Sequence, residues 1–290
     1  MKLYAPKYYK RFACIADKCT HSCCIGWEID IDKNTLSKYS SLTSVYGDVI
    51  LNSIEKGDSV HFSLVEGDRC PHLDECGLCK IIKEVGESFL CDICREHPRF
   101  YNFTNKGKEV GIGISCEEAC RLVLTSDDYD EIIEIGDAPG ELDLCEYDAT
   151  LSRQTVYKIL KNHSLSLSDK MDLICNIFGI SVQDISLNDI MSSLEYLHVD
   201  HKKIFTDISR YYWRMDIDKE LERIFGYFVY RHCSEECSDF DFRASLLFAM
   251  LCTLLISSVS NTENIYDMAR IVSEEIEYSE KNTEIIKSLY

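Results

Sequence analysis

Cysteines are crowded into the first part of this chain. Eleven of its sixteen cysteines lie within the first 120 of 290 residues. Four of them, Cys14, Cys19, Cys23 and Cys24, fall within eleven positions. A buried free cysteine packs as a small hydrophobe, but packing gives no reason for such close spacing. Thiolates at short loop spacings are what zinc or an iron–sulfur cluster requires, so the spacing predicts a metal-binding N-terminal part.

Disulfides and unligated thiols are the alternatives to a metal. The chain begins MKLYAPKYYKRF, and no apolar stretch follows these basic residues as it would in a secretory signal. We therefore expect a cytoplasmic protein, in which thiols stay reduced and such a pattern more often binds metal. The pairs Cys76/Cys79 and Cys91/Cys94 would be weak evidence alone, and the identity of the metal stays open between zinc and iron–sulfur.

Charge is distributed unevenly along the chain. The formal net charge is −19; residues 1–120 hold 15 Lys and Arg against 18 Asp and Glu, and the remaining residues hold 16 against 32. This balance argues against nucleic acid, whose binders carry a basic face. An acidic surface attracts a partner that presents lysines, although it also serves solubility. The apolar stretch from Phe242 to Ile256 is shorter than the roughly 20 residues of a spanning helix, so we expect a buried helix and no membrane contact.

The hydrophobic pattern predicts two parts with different folds. Alternation predicts strands at 27–32, 61–65 and 109–114, followed by a helix with Ser115 as its N-cap. From about Asp148 onward, apolar residues recur at helical spacing. Helices are predicted at 152–162, 185–198, 203–213, 217–232, 241–257 and 263–288. The predicted fold is mainly α, with a small α+β, cysteine-rich metal-binding part at 1–125 and an acidic helical domain at 126–290.

Several motifs resemble those of bacterial flagellin lysine N-methylases. The first is Phe12-x-Cys14-x4-Cys19-x3-Cys23-Cys24-x-Gly26-Trp27. Others are Cys70-Pro71-x-Leu73, Gly77-Leu78-Cys79, Cys94-Arg95-x-x-Pro98-Arg99 and Ile114-Ser115-Cys116-x-Glu118-Ala119. These parts also resemble small zinc- or iron-chelating domains with a CxxxCC motif. Residues 227–232, a predicted helix with aromatic residues and arginine, resemble a segment of the methylases more loosely. This resemblance favours the methylases over the small chelating domains.

The resemblance implies transfer of methyl groups from S-adenosylmethionine to lysine side chains of flagellin, with a [4Fe–4S] cluster. It also implies a ligand set that exceeds the four thiolates of one cluster, so either two sites exist or some members only pack. That set is Cys14, Cys19, Cys23, Cys24, Cys70, Cys79, Cys94 and Cys116. Cys76, Cys91 and Cys120 are additional to the family pattern, and we do not predict them to be ligands. A non-catalytic zinc- or iron-binding interaction module is the alternative function.

The cofactor and the substrate amine each need a site. The chain lacks the glycine-rich fingerprint of a Rossmann methyltransferase, so S-adenosylmethionine binding could instead involve a cluster iron held by three thiolates. Arg95 and Arg99 are predicted either to pair with the cofactor carboxylate or to offset the charge of a thiolate cluster. Candidate catalytic side chains, which could deprotonate or line a channel for the lysine amine, are Tyr211, Tyr212, Tyr227 and Tyr230. Aromatic residues at helical spacing are more often core residues.

A histidine next to ligand cysteines can also join a zinc site. His21, His72 and His97 lie within the metal segments and are expected to support the ligands and not to bind the metal. His198, His201 and His232 lie on predicted helices, where packing or surface positions are the simplest expectation.

Overall fold

The computed structural model describes residues 1–57, 59–142, 144–182, 185–206, 208 and 211–290. Its strands are β1 (Lys2–Pro6), β2 (Ile54–Lys56), β3 (Val60–Phe62), β4 (Arg99–Thr104), β5 (Gly107–Ile112) and β6 (Ile132–Asp137). Its first helices are α1 (Lys33–Ser40), α2 (Val45–Asn52), α3 (Lys80–Glu84), α4 (Asp92–Glu96), α5 (Glu117–Thr125), α6 (Ala149–Leu160) and α7 (Leu167–Phe178). The later ones are α8 (Leu187–Ser193), α9 (Val199–Thr206), α10 (Asp218–His232), α11 (Asp239–Val259), α12 (Ile265–Val272) and α13 (Glu280–Lys287). The protein is mainly helical with a small sheet, as the sequence predicted.

The chain forms two compact units. The smaller unit is Ala13–Pro98, and the larger unit combines Met1–Phe12 with Arg99–Tyr290. The domain boundary predicted between residues 125 and 126 lies within the larger unit, at the C-terminal end of α5. The N-terminal strand therefore folds with the helical part of the chain.

The smaller unit packs α1, α2 and the β2–β3 hairpin around a core of its own. Tyr39, Ile50 and Phe62 are buried at its centre. The strand predicted at 27–32 is reduced to a bridge between Asp30 and His61, with hydrogen bonds from Ile31 N to Val60 O and from Phe62 N to Ile29 O. The alternation nevertheless places Ile29 and Ile31 in the core, at 5% and 6% exposure. Side-chain alternation therefore identified the buried face of the segment and overestimated the length of its backbone pairing.

The larger unit contains a four-stranded sheet in the order β4-β5-β1-β6. Strand β1 pairs in parallel with β5 and antiparallel with β6, and β4 pairs antiparallel with β5. The strand predicted at 109–114 corresponds to β5. Gly111 is required there because a Cβ atom would lie 2.2 Å from the ring of Phe100 on β4. Since β6 follows residue 125, the strands are not confined to the predicted N-terminal part.

Helices α10 and α11 form the centre of the larger unit and confirm the predicted helices at 217–232 and 241–257. Helix α11 has 21 residues and is long and apolar enough to cross a membrane, but 83% of its most apolar window is buried inside the protein. A core helix meets the same criteria, and Phe248, Leu251 and Leu255 are almost fully buried. Burial on most sides is what the sequence predicted for this segment.

Other helical predictions need correction. The N-cap of α5 is Cys116, one residue after the predicted Ser115. The predicted helices 185–198 and 203–213 correspond to the shorter α8 and the displaced α9, and positions 207, 209 and 210 lie outside the described residues. The predicted helix 263–288 is divided into α12, a π-helical segment Ser273–Glu277 and α13, because Ser279 caps a new helix by accepting a hydrogen bond from Asn282 N. Helix α7 was not predicted.

A buried ion pair joins α6 to the sheet. Arg153 donates from both guanidinium nitrogens to the Glu109 carboxylate on β5, at 2.5 and 2.7 Å. The two side chains are only 6% and 4% exposed. Arg153 also donates to the Ser234 hydroxyl. Elsewhere in this unit, a disulfide joins Cys145 to Cys237.

Candidate functional site

Five thiols of the smaller unit lie close enough together to perturb one another electrostatically. The interactions link Cys70 with Cys24, Cys79 and Cys91, and link Cys94 with Cys24, Cys70 and Cys91. Cys70 and Cys91 are buried, at 7% and 1% exposure. We call Cys24, Cys70, Cys79, Cys91 and Cys94 the thiol cluster. Such a donor set fits either zinc or an iron–sulfur cluster.

Backbone contacts hold the segments of the thiol cluster in place. Cys70 N donates to Cys24 O at 2.8 Å, which joins the first cysteine segment to the second. Cys79 is the N-cap of α3, and a bridge between Leu73 and Cys79 fixes it beside the Cys70 loop. Cys91 is the N-cap of α4, so the i to i+3 spacing places Cys94 on the first turn of the same short helix.

Burial opposes ionisation of several of these thiols. It raises the pKa of Cys70 to about 12, with further contributions from neighbouring cysteines, and it raises the pKa of Cys79. Cys94 donates a hydrogen bond to Cys91, which raises the pKa of Cys94 and lowers that of Cys91. A hydrogen bond from Cys23 lowers the pKa of Cys24 to about 7. A bound cation would supply the charge that lets buried thiols lose their protons.

The remaining predicted ligands occupy different surroundings. Cys23 is hydrogen bonded to Cys24 and so adjoins the thiol cluster. Cys14 is exposed, and Cys19 donates to His21 O. Cys116 belongs to the larger unit, at the start of α5. Cys91, which sequence reasoning set aside, lies inside the cluster, and its C-x2-C spacing with Cys94 was the signal for it.

The histidines near the cysteines differ in their hydrogen bonding. His72 is buried, with Tyr46 Oη 2.9 Å from Nδ1 and Ser53 Oγ 2.9 Å from Nε2, so both ring nitrogens are occupied. Burial lowers the pKa of His72 to about 4, which keeps the ring neutral. His97 is different, because its buried Nε2 has no hydrogen-bond partner among the described residues. An orphaned nitrogen three residues after Cys94 is compatible with a group that is bound nearby.

The two candidate cofactor-binding arginines lie in different units. Arg95, on α4, forms ion pairs with Asp92 and Glu96 and is substantially exposed. Arg99 begins β4 in the larger unit, where its Nε donates to Tyr9 Oη at 3.0 Å. Its guanidinium also lies over the ring of Phe12, 5.7 Å from the centroid.

A buried carboxylate organises a second polar site in the larger unit. Glu277, in the π-helical segment, has a fully buried side chain and accepts a hydrogen bond from Tyr227 Oη at 3.1 Å. His232 Nε2 lies 2.6 Å from Glu277 Oε1, and Arg231 Nε lies 3.4 Å from the same oxygen. Burial opposes the charge of Glu277, but Arg231 and His232 outweigh it and the net pKa is lowered. The carboxylate therefore holds His232 in a fixed orientation.

Beside this network lies a cleft of about 440 Å³, which we call the acidic cleft. Its lining includes Phe100, Arg231, His232, Glu235, Glu236 and Lys287. Glu236 Oε1 accepts from Ser245, whereas Glu236 Oε2 is buried and has no hydrogen-bond partner among the described residues. Burial raises the pKa values of Glu235 and Glu236. The lining of the cleft thus combines a carboxylate that has one unsatisfied oxygen, Lys287 at 3.8 Å from its other oxygen, and a fixed imidazole.

The four candidate catalytic tyrosines are not equivalent. Tyr227 joins the Glu277 network, and Ile114 N and Arg231 Nη1 donate to its hydroxyl at 3.3 and 2.9 Å. Tyr230 is buried on the same helix and donates to Val110 O. Tyr211 donates to Asn188 Oδ1 at 2.9 Å, and Tyr212 is 42% exposed; both precede α10 in a segment outside any helix. Tyr227 and Tyr230 therefore both contact residues that line the acidic cleft: Tyr227 accepts from Arg231, and the Tyr230 ring lies against Phe100 with their centroids 6.1 Å apart.

His232 gives a pH-dependent stability that can be measured. Burial lowers its pKa from 6.5 to about 4, although Glu277 opposes this shift. The unfolded state therefore binds more protons between pH 6.5 and 4, and stability falls as pH decreases through this window. One pKa unit corresponds to about 1.4 kcal/mol. We therefore expect protonation of this group to lower the free energy of unfolding by about 3 kcal/mol between pH 7 and pH 4. Urea unfolding from pH 7 to 4 should show a smaller decline for His232→Gln than for wild type. The exposed His163→Gln should match wild type, and an equal decline in all three proteins would contradict the assignment.

Part of the chain is similar to curated methylases. It is 27% identical over 132 residues to the lysine-N-methylase of Salmonella typhimurium and 26% identical to that of Salmonella choleraesuis. It is also 26% identical over 132 residues to the flagellar biosynthetic protein FliU of Salmonella muenchen. Each match covers 42% of this chain; it spans 32% of each methylase and 77% of FliU. No protein-family model and no solved structure matches the chain. The chain therefore spans about a third of the length of each methylase that it matches.

Proposed function

We propose that the chain is a cytoplasmic protein lysine N-methyltransferase that transfers methyl groups from S-adenosylmethionine to lysine side chains of flagellin. The observation that carries the proposal is the similarity to proteins named lysine-N-methylase. The relative named a flagellar biosynthetic protein favours flagellin as the substrate. Because the chain spans only about a third of the two methylases, the thiol cluster and the acidic cleft provide the necessary independent support.

The thiol cluster is the proposed site of a [4Fe–4S] cluster, with zinc as the alternative occupant. Its five sulfur atoms exceed the four thiolates that one cluster takes, so at least one member would serve another role. When bound, the group would supply a redox-active iron centre, and one iron left without a thiolate would be open to the amino and carboxylate groups of S-adenosylmethionine. Residues of the smaller unit would hold this group. Of the predicted ligands outside the thiol cluster, Cys14, Cys19 and Cys23 of that unit and Cys116 of the larger unit stay predictions.

Methyl transfer to lysine requires the neutral amine. The reference pKa of a lysine side chain is about 10.4, so it arrives as an ammonium ion near pH 7. One proton must leave before the nitrogen lone pair attacks the methyl carbon of the sulfonium. The new N–C bond forms as the C–S bond breaks, which releases S-adenosylhomocysteine. The methylated nitrogen is then positively charged and becomes neutral when it loses a second proton. A site for this reaction needs an acceptor for the ammonium and a base.

The acidic cleft has both groups. Glu236 Oε2, which lacks a hydrogen-bond partner, would accept an N–H of the ammonium. His232, held neutral by burial, would take the proton, and Glu277 would stabilise the resulting imidazolium. Tyr227 would keep Glu277 in position through their hydrogen bond. The acidic balance of residues 121–290 would attract a lysine-bearing segment.

The arginines and the other tyrosines stay predictions. Arg95 or Arg99 would pair with the cofactor carboxylate or offset the charge of the thiolate cluster. Arg95→Lys and Arg99→Lys should weaken cofactor binding at unchanged metal content in the first case and lower metal content in the second. Tyr211, Tyr212 and Tyr230 stay candidates for lining the path of the amine.

Transfer of labelled methyl from S-adenosylmethionine to flagellin of the same host tests the proposal. The protein is purified without oxygen, and its iron, acid-labile sulfide and zinc are measured first. We expect methylated lysine in wild type and a loss of kcat on the order of 100-fold or more in His232→Gln, since general base catalysis contributes about 10²–10⁴-fold. Raising the pH should recover part of the rate of this variant, because solvent then deprotonates more of the amine.

Matched variants separate the outcomes. The exposed His163→Gln should transfer methyl groups at the wild-type rate. Absence of transfer from protein with intact iron and sulfide would refute the methyltransferase. Stoichiometric zinc in a colourless protein that does not bind S-adenosylmethionine would favour the non-catalytic binding module. Wild-type kcat in His232→Gln would exclude the acidic cleft while leaving the activity itself in place.

A further inference from the structure

His198, His201 and Glu275 lie together in the larger unit, apart from the acidic cleft residues. One nitrogen of each imidazole and one oxygen of the carboxylate all lie within 4.8 Å of one another. The rings of His198 and His201 meet edge to face with their centroids 4.8 Å apart. His198 directly precedes α9 and His201 lies on its first turn, so the i to i+3 spacing directs both toward one side.

Glu275 is held rigidly while the histidines remain accessible. Its side chain is fully buried, and it accepts hydrogen bonds from Leu197 N at 2.7 Å and His198 N at 3.1 Å. His201 Nδ1 lies 2.6 Å from Glu275 Oε1, and the His201 side chain is 18% exposed. His198 is exposed. Glu275 belongs to the π-helical segment, a kind of irregularity that often occurs at functional sites.

The donor chemistry is that of a borderline transition metal. Two imidazole nitrogens and a carboxylate oxygen suit zinc and its neighbours, whereas magnesium and calcium prefer oxygen donors alone. A tetrahedral zinc ion bound at about 2.0–2.1 Å spaces its ligand atoms roughly 3.4 Å apart. The present spacing therefore needs a shift of little more than an ångström, which the exposed ring of His198 can provide. Three protein ligands would leave one position for solvent.

We propose that His198, His201 and Glu275 bind one divalent transition-metal ion, with zinc as the representative metal. The ion takes the place of the hydrogen bond between His201 Nδ1 and Glu275 Oε1. It connects the start of α9 to the π-helical segment. This site is separate from the thiol cluster and does not depend on the proposed methyl transfer.

Zinc binding to the full chain with its thiol cluster filled tests this site. The protein is equilibrated with buffered zinc, and the zinc content is measured in wild type and in the double variant His198→Ala/His201→Ala. We expect one zinc equivalent more in wild type than in the double variant. X-ray absorption at the zinc edge should show nitrogen and oxygen neighbours for that additional zinc and no sulfur, which distinguishes it from zinc on thiolates.

Three further variants make the result decisive. His163→Ala, which removes an exposed histidine of the same unit, should bind zinc as wild type does. His198→Ala alone, at an exposed position, should fold normally and bind zinc on the order of 100-fold more weakly. Loss of a residue that only hydrogen bonds to a metal ligand typically costs about 10–100-fold, and loss of a ligand should cost at least as much. Glu275→Gln should also weaken binding, and its single amide oxygen can replace only one of the two carboxylate oxygens that accept backbone hydrogen bonds. Equal zinc content in wild type and the double variant, or a sulfur shell around the additional zinc, would overturn the proposal and leave Glu275 only as a hydrogen-bond acceptor for the backbone before α9.

Discussion

Replacing Arg153 with methionine is expected to lower the free energy of unfolding by about 3–5 kcal/mol, the cost of breaking a buried ion pair. The guanidinium makes two parallel hydrogen bonds to Glu109, and both side chains are almost completely buried. Methionine fills much of the volume but leaves the Glu109 carboxylate without its counter-charge in a place that water scarcely reaches. Urea unfolding at pH 7 measures the loss.

Two comparisons separate the lost charge pair from general disturbance of the core. The double variant Arg153→Met/Glu109→Gln removes both charges and should recover part of the loss, because no unpaired carboxylate remains buried. Lys7→Met breaks the exposed ion pair with Glu131, whose side chains are both 49% exposed, and should cost less than about 1 kcal/mol. If the single and double variants at Arg153 lose equal stability, packing of the arginine stem and not the ion pair stabilises this contact.

The central helices α10 and α11 were predictable because the positions that face the core are apolar along their whole length. In α10, Leu221, Ile224, Phe225 and Phe228 recur at intervals of three and four and are all fully buried. In α11, apolar residues cover most of the surface, as a helix surrounded by protein requires. The pattern and the environment agree over four or more turns, so small errors at the ends do not change the assignment.

Helix α7 was missed although its local signals are strong. Ser166 and Asp169 form a capping box, and Gly179 ends the helix with a φ of 64°. The apolar residues Leu167, Met171 and Ile174 are buried at helical spacing. The capping box marks the start of the helix and the C-terminal glycine marks its end, so both ends are indicated by the sequence.

The helix predicted at 263–288 shows that the spacing of apolar residues cannot predict an interruption of a helix caused by tertiary contacts. Glu275 and Glu277 lie two residues apart and are both buried, which the regular helical pattern of a surface segment does not allow. Each carboxylate is satisfied by partners distant in sequence: His201 for Glu275, and His232 with Tyr227 for Glu277. Tertiary hydrogen bonds therefore determine the π-helical segment, and no local propensity encodes them.

Sequence reasoning located the cysteine-rich part but could not select its members. Of the predicted ligands, Cys24, Cys70, Cys79 and Cys94 lie in the thiol cluster, whereas Cys116 belongs to the other unit. Cys91 joins them because Tyr39 on α1 packs against the start of α4: its hydroxyl donates to Phe89 O and lies 3.4 Å from Cys91 Sγ. Such contacts across some 50 residues depend on the assembled core, which the spacing of cysteines does not report.

The proposed cluster therefore predicts a large difference between two cysteines that both lie outside the family pattern. In Cys91→Ser, iron and acid-labile sulfide per chain should fall below half of their wild-type values, because a proposed thiolate ligand of the cluster is lost. Cys76→Ser should retain the wild-type content, since Cys76 is exposed on the loop before Cys79. Metal and sulfide analysis of anaerobically purified proteins, with the visible absorption spectrum, provides the measurement.

Loss of core packing is the competing explanation for a low iron content in Cys91→Ser, because Cys91 is only 1% exposed. Tyr39→Phe addresses this point: it removes the hydroxyl contact to Cys91 and the hydrogen bond to Phe89 O while keeping every thiol. A hydrogen bond of this kind contributes about 0.5–1.5 kcal/mol, so this variant disturbs the same part of the core without removing a candidate ligand. Retention of iron in Tyr39→Phe together with its loss in Cys91→Ser would make Cys91 a ligand. Full iron content in Cys91→Ser would instead assign Cys91 to packing and leave the eight cysteines of the family pattern as the candidate ligands.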